Sequence, residues 1–405
     1  MVSGAGRMET WRSASAFAPP RLPRVPLSQD RRLGILLLGV AAGTNIPTPL
    51  LLVYRDELDM SSTALTALFG VYALGLVPAL TLAGPAADRW GRRRVVIPTA
   101  VLSALASLLF VTATGSEPLL FLVRFLQGAG AGAVFSVGSA WLVETGLREG
   151  RTSGARTAAV TMTGGFAIGP VVAGLIGEWG PWPLVLPYLL HTAFLLLTVA
   201  VAWSVKETLP TRRVMRTSTR TGPLRPGTAR TALLVVAPLA VCVYAFPASA
   251  VGGIPVLIGF PVAPVALTGL LAGMTLGMGA LTAPLQGRLG ARTAPVAATC
   301  GAVGYAATAI AAAVPPLLLL AVPAACLLGA GGGLALASGL SRLPQVAADG
   351  RLGTVSAAYY GFAYLGFAMP LLLASFSGYV DVALLLGGLA VVCAALAVQQ
   401  SRARL

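Results

Sequence analysis

Apolar residues fill this chain in long continuous blocks separated by short polar stretches. The blocks lack the period-two alternation of a half-buried strand. Twelve can be drawn: 33–54, 63–83, 95–114, 118–142, 157–177, 183–204, 231–254, 263–285, 293–313, 316–340, 353–377 and 380–398. A helix rising about 1.5 Å per residue needs roughly 20 residues to cross about 30 Å of hydrocarbon, so each block is predicted to be one transmembrane helix. Continuous runs argue against a membrane β-barrel, whose strands alternate. The expected fold is an all-α membrane protein.

Between the blocks the basic residues alternate. Six arginines precede span 1, four lie at 89–94 and three at 148–156, and the stretch 206–230 holds Lys206 and six more arginines. Later connections on the same side carry Arg288, Arg292, Arg342 and Arg351, and the tail carries Arg402 and Arg404. The opposite loops hold Arg55 as their one basic residue, with Asp56, Glu57, Asp59, Glu117, Glu178 and Asp381. By the positive-inside rule this places both termini in the cytoplasm, in a multi-pass protein of the cell (inner) membrane.

Composition agrees: 56% of the 405 residues are hydrophobic and 10% charged, too few charges to cover soluble domains of this total size. The net charge of +15 would suit nucleic acid, but clusters between apolar runs make no binding face, and no nucleic-acid partner is expected. Cys242, Cys300, Cys326 and Cys393 lie inside apolar runs with no C-x-x-C pair, so neither a metal nor any cofactor is expected. Residues 1–32 are rich in Pro, Ser and Arg and lack the apolar core of a signal peptide; they read as a disordered cytoplasmic arm, started at Met1 or Met8.

The chain also repeats internally. At a shift of 199 residues Gly70 meets Gly269, Pro85 meets Pro284, Arg89 meets Arg288, Gly91 meets Gly290 and Arg93 meets Arg292. At a shift of 201, Gly128, Gly130 and Gly132 meet Gly329, Gly331 and Gly333. This divides the chain into a six-helix bundle at 33–205, a basic cytoplasmic linker at 206–230, a second six-helix bundle at 231–398 and a tail at 399–405. Parallel halves of this kind form transporters with the substrate path between them.

Four segments carry candidate chemistry. Between spans 2 and 3 the chain reads Gly84-Pro-Ala-Ala-Asp88-Arg89-Trp-Gly91-Arg92-Arg93-Arg94. Gly84 permits close helix approach, Gly91 a tight turn, and Asp88 a pairing with Arg or with a helix N-terminus. Span 4 holds Arg124, Gln127, Gly128, Gly130 and Gly132, and a charge inside an apolar span persists only against a cavity or a partner. Span 5 holds Gly165, Gly169, Pro170 and Gly174, a smooth face beside a proline. Span 1 holds Asn45-Ile-Pro47-Thr-Pro49, which breaks the helix and turns carbonyls toward a cavity.

These segments resemble the major facilitator superfamily: the G-x-L-A-D-R-x-G-R-R loop, with Ala86 in place of Leu, and the R-x-x-Q-G start of its fourth helix. Span 5 resembles the G-x-x-x-G-P-x-x-G-G motif of the twelve-helix drug–proton antiporters, with Ala173 in place of one Gly. The resemblance implies a monomeric carrier that exports small, lipophilic drug-like molecules by alternating access, in exchange for protons. It also implies that Glu144 and Arg151 form a charge pair joining the latch of Gly84, Asp88, Arg89, Gly91, Arg92 and Arg93. Path candidates are Asn45, Arg124, Gln127 and His191, the last a group able to titrate near neutral pH. A metabolite or sugar uptake carrier is the alternative within transport. A polytopic membrane enzyme or a transport-dead sensor is the alternative outside it, although no H-E-x-x-H or G-x-S-x-G occurs.

The orientation is directly testable. Single cysteines introduced at 212–225 should react with an impermeant maleimide only from the cytoplasmic side; labelling from outside would invert the topology.

Overall fold

A computed structural model describes residues 27–208, 236–346 and 352–402; within them are helices and their connections, with no strand. Twelve spans follow in chain order. The first six are α1 Gln29–Leu58, α2 Ser62–Trp90, α3 Arg92–Ala113, α4 Glu117–Arg148, α5 Gly154–Trp179 and the shorter α6 Leu186–Ala202. The second six are α7 Ala237–Ile258, α8 Pro264–Thr282, α9 Thr293–Ala313, α10 Ala321–Val346, α11 Ala358–Phe376 and α12 Val382–Arg402. α8 and α9 lie in one apolar stretch, and the reversal at Gly290–Arg292 separates them.

The arm up to residue 26, with Met8, lies outside the described residues, as do linker residues 209–230, Arg351 and Arg404. Several expected boundaries move, among them the ends of α2, at Trp90 rather than 83, and of α4, at Arg148 rather than 142. α1 is helical from Gln29 rather than 33, α12 continues to Arg402 rather than 398, and Lys206–Thr208 dock on the first bundle instead of opening a free linker. Helices run on past the hydrocarbon into their charged ends, which hydropathy alone excludes.

Small residues let the backbones touch where lipid gives no hydrophobic drive between helices. A Cβ on Gly128 or Gly132 would stand 2.1 Å from the Tyr72 carbonyl oxygen or 2.5 Å from that of Leu76, pinning α4 to α2. In the second half a Cβ on Gly329 would stand 2.0 Å from the Thr275 oxygen, and one on Gly333 1.9 Å from that of Gly279. α10 therefore meets α8 as α4 meets α2, which is the internal repeat in three dimensions. Gly91 (φ 106°) and Gly290 (φ 53°) turn the matched connections, with backbone that a side chain would strain.

The outer surface inverts the soluble pattern. Leu82, Leu281, Leu319 and Val391 are largely exposed, as befits side chains facing acyl chains. Exposed Trp90 and Trp203 lie at the basic ends of the helices and Trp179 and Trp182 at the acidic ends, the levels of the two interfaces.

The span-5 segment has two working faces. A Cβ on Gly165 would meet the Leu38 oxygen at 2.5 Å and one on Gly169 the Ala42 oxygen at 1.9 Å, so these glycines seat α5 on α1. Farther along, Gly174 meets Val265 and Gly269 of α8, and a Cβ on Gly269 would lie 2.3 Å from the Pro170 oxygen. That second face joins the two bundles near the acidic ends.

Gly169→Ala should therefore lower the thermal midpoint of the detergent-solubilised chain, at a cost of about 1–3 kcal/mol for overpacking. Gly277→Ala, whose Cβ meets nothing within 4 Å, should show no loss. Equal midpoints for the two variants would refute the packing assignment.

Candidate functional site

The site begins with the break in α1. Pro47 has no N–H to give to the Gly43 carbonyl, and the Thr48 N–H turns instead to Asn45 O at 3.2 Å. The Thr44 carbonyl is thereby left to a donor outside the ladder, while the Gly43 carbonyl keeps a long 3.4 Å bond from the Ile46 N–H. Gln127 Nε2 donates to Gly43 O at 2.9 Å, and Arg124 Nη1 donates to Thr44 O at 2.7 Å. Arg124 Nη1 also donates to Gln127 Oε1 at 2.6 Å. The expected break in span 1 and the expected polar pair of span 4 are thus one structure.

Arg124 is 1% exposed, so it does not snorkel to an interface. Its guanidinium carbon lies 4.7 Å from the centre of the Tyr72 ring, a contact worth about 2 kcal/mol once desolvated. Among the described residues no carboxylate forms an ion pair with it, and its buried Nε has no hydrogen-bond partner.

Arg124 and Asn45 line a cavity of about 490 Å³ between the bundles. Its first-half wall includes Phe69, Tyr72, Phe135 and Phe166, and its second-half wall Tyr244, Tyr360, Tyr364 and Phe367. Tyr244 stacks on Tyr364 at 5.0 Å and lies 4.8 Å from Phe367, while Phe135 meets Phe166 edge-on at 5.3 Å. No Asp or Glu lines the cavity among the described residues. It continues toward the basic ends at Leu80 and Thr81 of α2 and lies on the basic side of the α5–α8 contact.

Two path candidates belong elsewhere. Gln127 is buried behind Arg124 and holds it to α1. His191 is away from the cavity: Nδ1 pairs with Ser107 Oγ at 2.7 Å and Nε2 with Gly39 O at 3.0 Å. It is a packing residue tying α6 to α3 and α1. A Cβ on Gly43 would lie 2.3 Å from its ring, so the imidazole fills space that this glycine leaves.

At the basic face a charged network binds the first bundle together. Arg92 reaches Asp88 at 2.7 Å and Glu144 at 3.1 Å, and Glu144 accepts from Thr208 Oγ1 at 2.6 Å. The first turn of α3 has no capping side chain of its own, since Gly91 stands at the N-cap. Glu207 supplies the carboxylate instead, accepting from the backbone N–H of Arg92 and of Arg93 at 3.0 Å each. The Arg93 guanidinium lies over Trp203 at 5.3 Å.

Two expectations change here, those for Glu144–Arg151 and for Gly84, and that for Asp88 narrows. Glu144 and Arg151 do not pair: Arg151 follows the turn at Gly150 (φ 73°) and reaches the buried Asp30 at 2.6 Å, while Glu144 faces α3. Asp88 is largely exposed and pairs with Arg92, one of its two expected roles; the other, at a helix N-terminus, is taken by Glu207, which caps α3. A Cβ on Gly84 meets nothing within 4 Å among the described residues, although Ala83 and Ala87 beside it are buried on the other face of α2. Arg89 is exposed. Asp30 and Glu207 fall within the expected arm and linker, yet both are held by partners more than 100 residues away, which no local pattern reveals.

The pattern of the family described as Major Facilitator Superfamily matches residues 33–371. The chain belongs to the Major Facilitator Superfamily. It is a multi-pass membrane transporter and not an enzyme. The multidrug resistance protein MdtL of Salmonella heidelberg (strain SL476) is 35% identical over 173 residues, covering 41% of this chain and 42% of that protein. MdtL of Salmonella paratyphi C (strain RKS4594) is 34% identical over the same length. The transporter thus matches about two-fifths of the length of these curated relatives. Among solved structures, nucleoside transporter NupG superposes with a TM-score of 0.71 at 14% identity, over 93% of this chain and 100% of that one. A D-xylose-proton symporter gives 0.65 at 17% identity, over 91% and 96%. At such identities these two similarities establish the fold alone.

The transporter carries a cross-bundle clasp that sequence reasoning missed. Glu178 at the end of α5 accepts from the backbone N–H of Val265 and Ala266, at 2.8 and 3.2 Å, capping the N-terminus of α8 in the other half. At the acidic end of α1, Arg55 donates to the Val256 carbonyl of α7, again across the halves. With the native cysteines replaced by alanine, Val251→Cys in the cavity reports opening at the acidic ends. Adding Glu178→Gln should raise its labelling by an impermeant maleimide from that side by about ten-fold, since a charge-assisted bond is worth about 1.5–3 kcal/mol. An unchanged rate would remove Glu178 from the closure.

Proposed function

We propose that this transporter exports small lipophilic molecules of drug-like size from the cytoplasm by alternating access, in exchange for protons. The observation that carries the reading is the aromatic-walled cavity on the basic side of a closed α5–α8 contact. With basic loops in the cytoplasm, that is the side from which an exporter loads. The glycine–proline segment of α5 builds both the α1 seat and the contact between halves. The partial match to multidrug resistance proteins favours the same reading.

In this proposal Asp88, Arg92 and Glu144 act as a latch at the cytoplasmic face, and their described ion-pair partners all lie in the first bundle. The open space at Gly84 is where the second bundle arrives when the cytoplasmic side closes. No carboxylate lines the cavity among the described residues, so the acids proposed to exchange protons are those of the cytoplasmic network, Asp88, Glu144 and Glu207. The transporter is proposed to work as a monomer in the inner membrane, with both termini cytoplasmic.

Cells expressing the chain should hold less of at least one dye in a panel of neutral, anionic and cationic lipophilic dyes, and an uncoupler should erase the difference. Asp88→Asn should slow efflux several-fold while leaving dye binding to the purified chain unchanged. Higher accumulation would indicate uptake, and binding without flux a sensor; either result would overturn export.

A further inference from the structure

We infer that the preferred cargo is an aromatic molecule carrying an anionic group, such as an aryl carboxylate or sulfonate, with its charge seated at Arg124 and its rings between the two aromatic walls. The inference rests on the cavity being the transport site and deepens the reading above. It does not depend on the direction of transport.

The first ground is charge. Arg124 brings a guanidinium to the cavity, and no Asp or Glu lines the cavity to balance it among the described residues. Its described polar partners are the Thr44 carbonyl and the Gln127 side-chain oxygen, both neutral. A buried cation held by dipoles alone gains from an anion and repels a second cation. The second ground is unspent donor capacity. Both described hydrogen bonds leave from Nη1, and Nε has no partner although it is buried. A guanidinium presents five N–H groups in a planar fork suited to carboxylate or sulfonate oxygens.

The third ground concerns the rings. An aromatic lining can also attract cations through ring faces. Here the Tyr72 face is already taken by Arg124 at 4.7 Å, and any cation approaching that wall meets the guanidinium. The opposite wall, Tyr244, Tyr364 and Phe367, is a contiguous aromatic array, two of its pairs stacked and one tilted, with centroid spacings of 4.8 to 6.2 Å, a surface for a planar ring system. Anion at one wall and ring at the other fixes the orientation of the cargo.

The test is binding to the full purified chain in nanodiscs at neutral pH, with three probes that share one ring system: 2-naphthoate, 2-naphthylmethanol and 2-naphthylmethylammonium. Naphthoate should bind about ten-fold tighter than the alcohol, as a charge-assisted hydrogen bond implies, and the ammonium weakest. Arg124→Gln should reduce the preference for naphthoate to about two-fold or less. Arg288→Gln, which removes one positive charge from an exposed turn, should leave the ranking unchanged. An ammonium or alcohol that binds the wild-type chain as tightly as naphthoate overturns the inference, whether or not the Arg124 variant folds. So does a preference that survives in a folded Arg124→Gln chain. Naphthoate binding with no flux of any dye would remove export and keep this inference; export of cationic dyes by a chain that ignores naphthoate would do the reverse.

Discussion

Hydrocarbon offers no hydrogen bonds, so every backbone carbonyl released inside a span has to find a donor within the protein. That constraint organises the centre of this transporter. Pro47 and Pro49 withhold two N–H groups from α1, and Arg124 and Gln127 of α4 reach the carbonyls of Thr44 and Gly43. The broken helix and the buried cation satisfy each other. Without the break the guanidinium would lose an acceptor at that depth; without Arg124 the Thr44 carbonyl would lose its described donor, and without Gln127 that of Gly43 would be left with a long 3.4 Å bond from Ile46. The cavity takes its polar centre from this pairing and its walls from rings on both bundles.

Helix N-termini supply a second theme, used twice for different ends. At the basic face Glu207 caps α3 within the first bundle, and with Arg92, Glu144 and Thr208 it ties α2, α3, α4 and the segment after α6 into one body. At the acidic face Glu178 caps α8 from the opposite bundle. The first carboxylate stiffens a unit and the second holds two units together. A few charge-assisted bonds suit a contact that has to open and reclose, because lipid provides no large apolar surface area to drive helix against helix. Close backbone contact at Gly174 and Gly269 adds shape to the same closure.

Much of the fold was legible because membrane physics writes it in long runs. The apolar blocks, the alternation of basic loops and the matched glycines locate the helices and the two halves. The break at Pro47, the interior placement of Arg124 and the turn at Gly91 follow from residue chemistry alone. Helix ends were less legible: α1 and α12 extend into charged residues that a hydropathy criterion rejects. Charge pairs were least legible. Arg151 and Glu144 are close in sequence, yet their partners, Asp30 and Arg92, come from other helices. His191 carried the right chemistry for a path residue and sits outside the cavity, between α1 and α3.

The sequence by itself determined that lipid is the solvent, where the chain crosses it and which helices must break or touch, because those follow from local composition and the geometry of a helix. Tertiary structure alone decided which buried groups share a cavity, which carboxylate caps which helix and where the bundles close. Those outcomes depend on the rotation of each helix about its own axis and on partners tens to hundreds of residues apart. A helix of small apolar residues can turn any of several faces inward at similar local cost, and only packing against its neighbours selects one.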